Sequence, residues 1–411
     1  MHTRIKYPLA AAITAGAVAA LGQAVPASAA VPATAARPAD RPVIAYVLET
    51  PPCMGNTVGV INTATNTALK PIAVGLGVNA IAVTPNGKTV YVSSGARITS
   101  GTVCGSGGPQ TGANTVTPIS TATNKPGKPI NAGGSPGPIA ITPDGKTAYV
   151  LSQRGVVPIS TATNKPGKPI NAGKDLTGIA ITPNGRAAYV VSTFSATVTP
   201  IRTATSTALK AIKIGTPPAG YEFPDQIAIT PNSRTAYVST TAGVVPIRTA
   251  TNTALKLIKV GNGPGAIAIT PDGKTAYVST TAGVVPIRTA TSTALKLIKV
   301  GTGQPAQPGP SAIAITPNGK TAYVVNLIAG TVTPISTATN TPGRPVVLKS
   351  SPGVMLDGIG IAPDGRTAYI LNEIFEPASF PGTVIPLRTA TNTLGKPITV
   401  GTAPSAIVFA R

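Results

Sequence analysis

The sequence predicts an all-β chain folded as a single β-propeller of four-stranded antiparallel blades, and three observations predict it. A tyrosine recurs at Tyr46, Tyr91, Tyr149, Tyr189, Tyr237, Tyr277, Tyr323 and Tyr369, which is 323 residues in seven steps and a mean period near 46. Each period carries four short β-rich runs, here A to D: Ala-Ile-Ala-Ile-Thr-Pro-Asp-Gly-Lys-Thr-Ala-Tyr-Val at 266–278 supplies A and B, and 284–300 supplies C and D. The two ends are complementary, since 43–48 reads as a B run with no A before it and 405–409 as an A run with no B after it. Joining them completes one blade and removes the open edges of the ring. Eight blades result; a seven-bladed ring with one unit left outside is the alternative count.

The turns support this parsing. Between A and B, Thr-Pro-Asn/Asp-Gly-Lys places Pro where φ is near −65° and Gly where φ is positive, the chemistry of a type I turn with a bulge. Between C and D, Thr-Ala-Thr-Asn-Thr offers hydroxyl and amide groups that bond their own backbone. With 43 Pro, 44 Gly and no Trp, the chain is punctuated too often for long helices.

Residues 1–30 read as an export signal: Arg4 and Lys6, an Ala-rich apolar stretch from Leu9 to Leu21, and a small-residue cut at Ala27-Ser28-Ala29. That stretch is too short for a transmembrane helix, and no Cys near the cut suggests a lipid anchor. No tail for wall sorting or membrane anchoring is read after the last repeat. Residues 31–42 are Pro/Ala-rich and expected to be disordered, and 43–411 form the propeller. The expected product is a secreted monomer. His2, the one histidine, lies in the leader. Its removal excludes Ser-His-Asp and Cys-His catalysis and histidine-held zinc.

The segments Thr-Pro-Asp-Gly-Lys-Thr-Ala-Tyr-Val at 142–150 and Thr-Val-Thr-Pro-Ile-Ser-Thr-Ala-Thr-Asn at 331–340 resemble the YVTN β-propeller repeats of secreted and surface proteins. The resemblance covers roughly residues 43 to 411 and implies the fold, but little about activity. The chain is more distantly similar to lactonase-type propellers, whose catalytic residues map onto no motif here.

In such a meander the A–B and C–D turns share one face, and the B–C loops and D–A links share the other. The first face is monotonous. The second carries insertions at 49–55, 93–112, 216–225, 301–310 and 372–381, and rigid scaffolds carry function on variable loops. Two groups of unusual residues fall there. One comprises Asp357, Glu373, Phe375, Glu376, Phe380 and Glu49, with Cys53 and Cys104; the other, across the channel, comprises Asp175, Phe194, Tyr221, Glu222, Phe223 and Asp225. Cys53 and Cys104 sit in B–C loops of neighbouring blades, so a disulfide worth about 4 kcal/mol is expected, a staple rather than a redox pair since no CxxC is present. The near-identical units at 234–299 carry no unusual residue and read as scaffold.

The aromatic set offers a platform for a sugar, peptide or apolar ligand, or else plugs its own loops onto the scaffold. The acids read mainly as loop solvation. The alternative is a Ca²⁺ or cationic-ligand site using Asp225, Asp357 and Glu373, but a hard cation needs six to eight oxygens and no DxDxDG spacing is present. No other cofactor is expected.

The charge is +22, with 33 Lys and Arg against 11 acids, and +20 once Arg4 and Lys6 are set aside. Lys88, Lys146, Arg186, Arg234, Lys274, Lys320 and Arg366 follow the A–B turns, and Arg202, Arg248, Arg288 and Arg388 open C–D turns. This basic ring reads first as solubility and edge protection. Attraction to anionic envelope polymers or phospholipid is the alternative. Nucleic acid is not an expected partner, because no aromatics are interleaved with the cations.

Three functions compete: a secreted, non-catalytic propeller binding a ligand or extracellular protein through its variable face; a lactonase-like hydrolase or lyase using a carboxylate-held metal at the channel mouth; and a structural envelope protein. Convergence of three or more carboxylates favours the second.

Overall fold

The computed structural model describes residues 42–50, 56–95, 114–215, 226–301, 309–327, 329–348, 354–374 and 381–411. The strands form eight antiparallel sheets, each in the order A-B-C-D. The A strands of neighbouring blades touch in one unbroken cycle, which makes A the inner wall of a closed ring. Blade 1 is the composite: its A strand is Pro404–Ala410 and its B strand Ile44–Glu49. Tyr46 faces Val408 and Leu48 faces Ala406 across that seam. Blades 2 to 8 follow in chain order, and eight is the count. Among the described residues there is no helix, and so none long and apolar enough to cross a membrane.

The core consists of eight layers between blades. The layer between blades 5 and 6, for example, packs Tyr237, Val244 and Ile258 against Ala276, Val278 and Ile287. Each recurring tyrosine is fully buried, and a buried phenol needs a partner for its hydroxyl. The partner is the left-handed residue of the C–D turn in the next blade. Tyr277 donates to Asn340 Oδ1 at 2.6 Å, Tyr323 to Asn392 at 2.7 Å, and Tyr369 crosses the seam to Asn66 at 2.7 Å. Blade 1 continues the series with Tyr46 to Asn124, then Tyr91 to Asn164 and Tyr189 to Asn252. Serine replaces Asn at Ser206 and Ser292, where the tyrosine also reaches a threonine carbonyl. All eight turn residues have φ between 50° and 56°, a region where Asn is the best tolerated non-glycine residue. A ring of eight hydrogen bonds thus ties every blade to its neighbour. Burial pushes the phenols of Tyr46, Tyr189, Tyr277, Tyr323 and Tyr369 up to about 12, so they remain donors over the physiological range.

The outermost run differs from expectation in most blades. D is a continuous strand in blade 1, Thr67–Ala73, but elsewhere it shrinks to two-residue pieces such as Thr253–Ala254, or Lys125–Pro126 followed by Ile130–Asn131. The cause lies in strand C. Seven blades place a proline opposite the tyrosine, as in Tyr149↔Pro158 and Tyr237↔Pro246. Pro has no N–H to continue the ladder outward, so the chain bends away and returns a single bond, for example Gly127 N–H to the Pro118 carbonyl at 2.7 Å. Blade 1 has Val60 at this position, and Val60 pairs with both Tyr46 and Leu69.

The face assignment holds. Thr121 Oγ1 of a C–D turn donates to the Gly87 carbonyl of the A–B turn in the same blade at 2.7 Å, and Thr389 does the same to Gly365 at 2.6 Å. The A–B glycines have φ of 68–72°. At Ser233, which stands in for glycine with φ 61°, the hydroxyl accepts the Asn184 N–H from the preceding blade at 2.9 Å.

Candidate functional site

The variable face is built on the ends of the B strands. Three residues after each repeating tyrosine lies a polar side chain: Glu49, Ser94, Ser152, Ser192, Thr240, Thr280, Asn326 and Asn372. Seven of them are buried and Asn372 is half-buried. This ring was legible as a polar position locked to the tyrosine period, a signal the sequence reading did not use. It needs satisfied hydrogen bonds, and the blades satisfy it differently. In blade 7 the Asn326 amide donates to Thr331 Oγ1 at 3.1 Å and to Thr333 Oγ1 at 3.3 Å. In blade 2 the shorter Ser94 leaves its own hydroxyl and those of Thr115 and Thr117 buried without a partner. Ser94→Asn should therefore supply the missing amide and raise stability by about 1 kcal/mol. A higher denaturant midpoint by circular dichroism checks this, and a lower one contradicts it.

Glu49 occupies the same position in blade 1. It is 2% exposed. Its carboxylate accepts the Thr57 hydroxyl at 2.5 Å and the Gly401 N–H at 2.7 Å. Gly401 leads into the closing strand, and a Cβ there would overlap the carboxylate. The structure places Glu49 inside the ring closure, tying blade 8's exit to blade 1.

Asp357 and Glu373 come together in blade 8. The A strand Val354–Ile361 and the B strand Thr367–Ile374 pair with a bulge between Leu356 and Gly358. Asp357 is the bulged residue and stands at the variable-face end of the inner wall. Glu373 is the fourth residue after the tyrosine, opposite Met355. The equivalent positions in blade 4 are Thr177, in the bulge between Leu176 and Gly178, and Thr193, whose hydroxyls meet at 2.6 Å. Blade 8 thus sets two carboxyls where blade 4 sets two hydroxyls. Burial pushes Asp357 up to about 6. Burial, and then the nearby Asp357 charge, push Glu373 up to about 7. Both carboxyls are therefore held protonated to a higher pH than an exposed carboxylate.

Across the ring, Asp175 has φ 53° where blade 4 begins, and its carbonyl accepts the Thr193 N–H. Phe194 is 55% exposed on the same blade. Between blades 4 and 5 a cleft of about 290 Å³ opens beside Ile214, Val245 and Leu257. Tyr221, Glu222, Phe223, Asp225, Phe375, Glu376 and Phe380 lie outside the described residues, and so do Cys53 and Cys104 with their expected disulfide. Among the described residues no three Asp, Glu, His or Cys side chains converge as metal ligands. Asp357 and Glu373 are a pair, and Asp225, the expected third ligand, is not described. The larger cleft, about 770 Å³, lies on the opposite face, away from the carboxyl pair.

These features define an eight-bladed β-propeller with an acidic pair at one channel mouth. No family model and no curated protein matches the chain. Solved structures do. The dihydro-heme d1 dehydrogenase NirN, in complex with DHE, superposes with a TM-score of 0.70 at 15% identity, over 92% of this chain and 77% of that one. A functionally unknown protein from Desulfotomaculum acetoxidans gives 0.55 at 21%, over 74% and 95%. Hydrazine synthase from Kuenenia stuttgartiensis gives 0.52 at 18%, over 80% and 96%. At these identities the likeness is one of fold.

Proposed function

We propose that the chain is a secreted, non-catalytic propeller of the YVTN-repeat type that binds an extracellular ligand or protein through its variable face. The ligand's cationic group, an ammonium or guanidinium, sits against Asp357 and Glu373. Export is supported by the leader composition. The binding reading is carried by one observation: among the described residues, only the eighth blade sets a carboxyl, Asp357, in the A-strand bulge at the channel mouth with a second, Glu373, on the neighbouring B strand. Partial burial strengthens their attraction for a cation once they are deprotonated. The positive charge elsewhere is screened beyond roughly 8 Å at physiological ionic strength.

Binding therefore strengthens as pH rises through 6 and 7. Titration calorimetry with polyamines and with Lys- and Arg-rich peptides tests this. We expect at least tenfold tighter binding at pH 8 than at pH 5.5, and loss of binding in Asp357→Asn/Glu373→Gln. No binding at pH 8, or equal binding by the double variant, overturns the proposal. A hydrolase is the second reading, because a pair titrating near 6 and 7 also suits general acid–base chemistry. Lactone or ester turnover abolished by Glu373→Gln supports it over simple binding.

A further inference from the structure

The 770 Å³ cleft runs between the A–B turns of blades 5 and 6 and the C–D turns of blades 6 and 7. Arg234, Lys274 and Arg288 line it, and all three are exposed. Asp272 also lines it, but its carboxylate is engaged by the Thr270 hydroxyl at 2.6 Å, the Lys274 N–H at 3.0 Å and the Lys274 ammonium at 3.6 Å. The ion pairs among the described residues are Lys146–Asp144 and Lys274–Asp272, so neither arginine of the cleft has an acidic partner there.

The cations of this face are not evenly spread. Blades 2, 3 and 7 open their C–D turns with Ser120, Ser160 and Ser336, and blade 1 with Asn62, whereas blades 4, 5, 6 and 8 place Arg202, Arg248, Arg288 and Arg388 there, the first three in consecutive blades. Strand register sets each of these arginines opposite the residue that follows an A–B cation: Ala187↔Arg202, Thr235↔Arg248, Thr275↔Arg288 and, set apart by blade 7, Thr367↔Arg388. The pairs Arg186/Arg202, Arg234/Arg248 and Lys274/Arg288 then form an arc over three consecutive blades, with the cleft at one end. The repeating tyrosines are buried, so among the described residues the arc offers no aromatic surface on which a base could stack. Planar guanidinium forks match phosphate oxygens in bidentate geometry.

We propose that the turn face of blades 4 to 6 is a docking track for a linear phosphodiester polymer without aromatic bases. It is independent of the ligand site on the opposite face. End-labelled poly(glycerol phosphate) of defined length, followed by fluorescence anisotropy between 50 and 300 mM NaCl, tests it. We expect binding that weakens steeply with salt. Arg234→Gln/Lys274→Gln/Arg288→Gln should weaken it at least tenfold and flatten the log–log salt slope by about two. Lys256→Gln/Lys259→Gln/Lys296→Gln removes the same charge from the outer D segments, and should stay within twofold of the unaltered protein. Equal weakening by both triples overturns the track in favour of diffuse attraction. Absence of binding at 50 mM salt, or binding insensitive to salt, overturns it outright. Thermal melts of both triples identify a variant that has lost its fold; single Arg234→Gln and Arg288→Gln variants then carry the comparison, each with an expected loss of about threefold.

Discussion

Removing residues 404–411 should abolish cooperative folding. The deletion strips the inner strand from blade 1 and leaves Ile44–Glu49 with an unpaired inner edge. Ala406, Val408 and Ala410 pack against Tyr46, Leu48 and residues of blade 2, while Ile407 packs with Tyr369 and Leu371 of blade 8. Phe409 also meets Tyr369, with ring centroids 5.6 Å apart. Two inter-blade layers therefore open at once, and exposed strand edges aggregate. Size-exclusion chromatography should show soluble aggregate or no recoverable monomer, and calorimetry no single sharp transition. A milder test is Ile407→Ala, expected to cost about 2–5 kcal/mol. A truncated chain that melts like the full one contradicts the closed ring.

The second large effect concerns pH. Asp357 and Glu373 have ordinary values near 4 when unfolded, but about 6 and about 7 in the folded chain. The native state therefore binds more protons than the unfolded one, and stability falls as pH rises. Their contribution is fully present below about pH 4 and is lost progressively up to about pH 7, on the order of 3 kcal/mol for Asp357 and less for Glu373, whose greater exposure screens it. Further acidification reverses the trend, because Asp144, held low by the Thr142 hydroxyl and the Lys146 N–H, loses its charge there. Stability should thus peak in mildly acidic solution. Asp357→Asn/Glu373→Gln should remove the decline and exceed the unaltered protein in stability at pH 8. Denaturant midpoints at pH 5, 6, 7 and 8 check both statements.

Much of the fold was legible because the same physical solution is written eight times. Period, turn chemistry and complementary ends all point to one closed ring, and a local ambiguity in one copy is resolved by the others. The broken D strands were overlooked although their cause was in view: Pro118, Pro158 and their counterparts lack the N–H that an outer strand requires. The tyrosine ring was beyond reach of local reading, since Tyr46 and Asn124 are 78 residues apart and meet only once blades stack. The site was half legible. Loop length and stray acids set these residues on one face, but composition could not separate Glu49, which the closure consumes, from Asp357 and Glu373, which share a rim. Matching blade 8 to blade 4 does separate them, because Thr177 and Thr193 already show that a bulged A residue meets the fourth residue after the tyrosine.

Infrared spectroscopy of the carboxyl C=O stretch, followed from pH 4 to 9, tests most directly whether blade 8 buries these two acids together at the channel mouth. The account predicts a protonated-carboxyl band that persists above pH 6, fades around pH 7 and is missing from Asp357→Asn/Glu373→Gln. A spectrum showing every carboxyl ionised by pH 5.5 contradicts it.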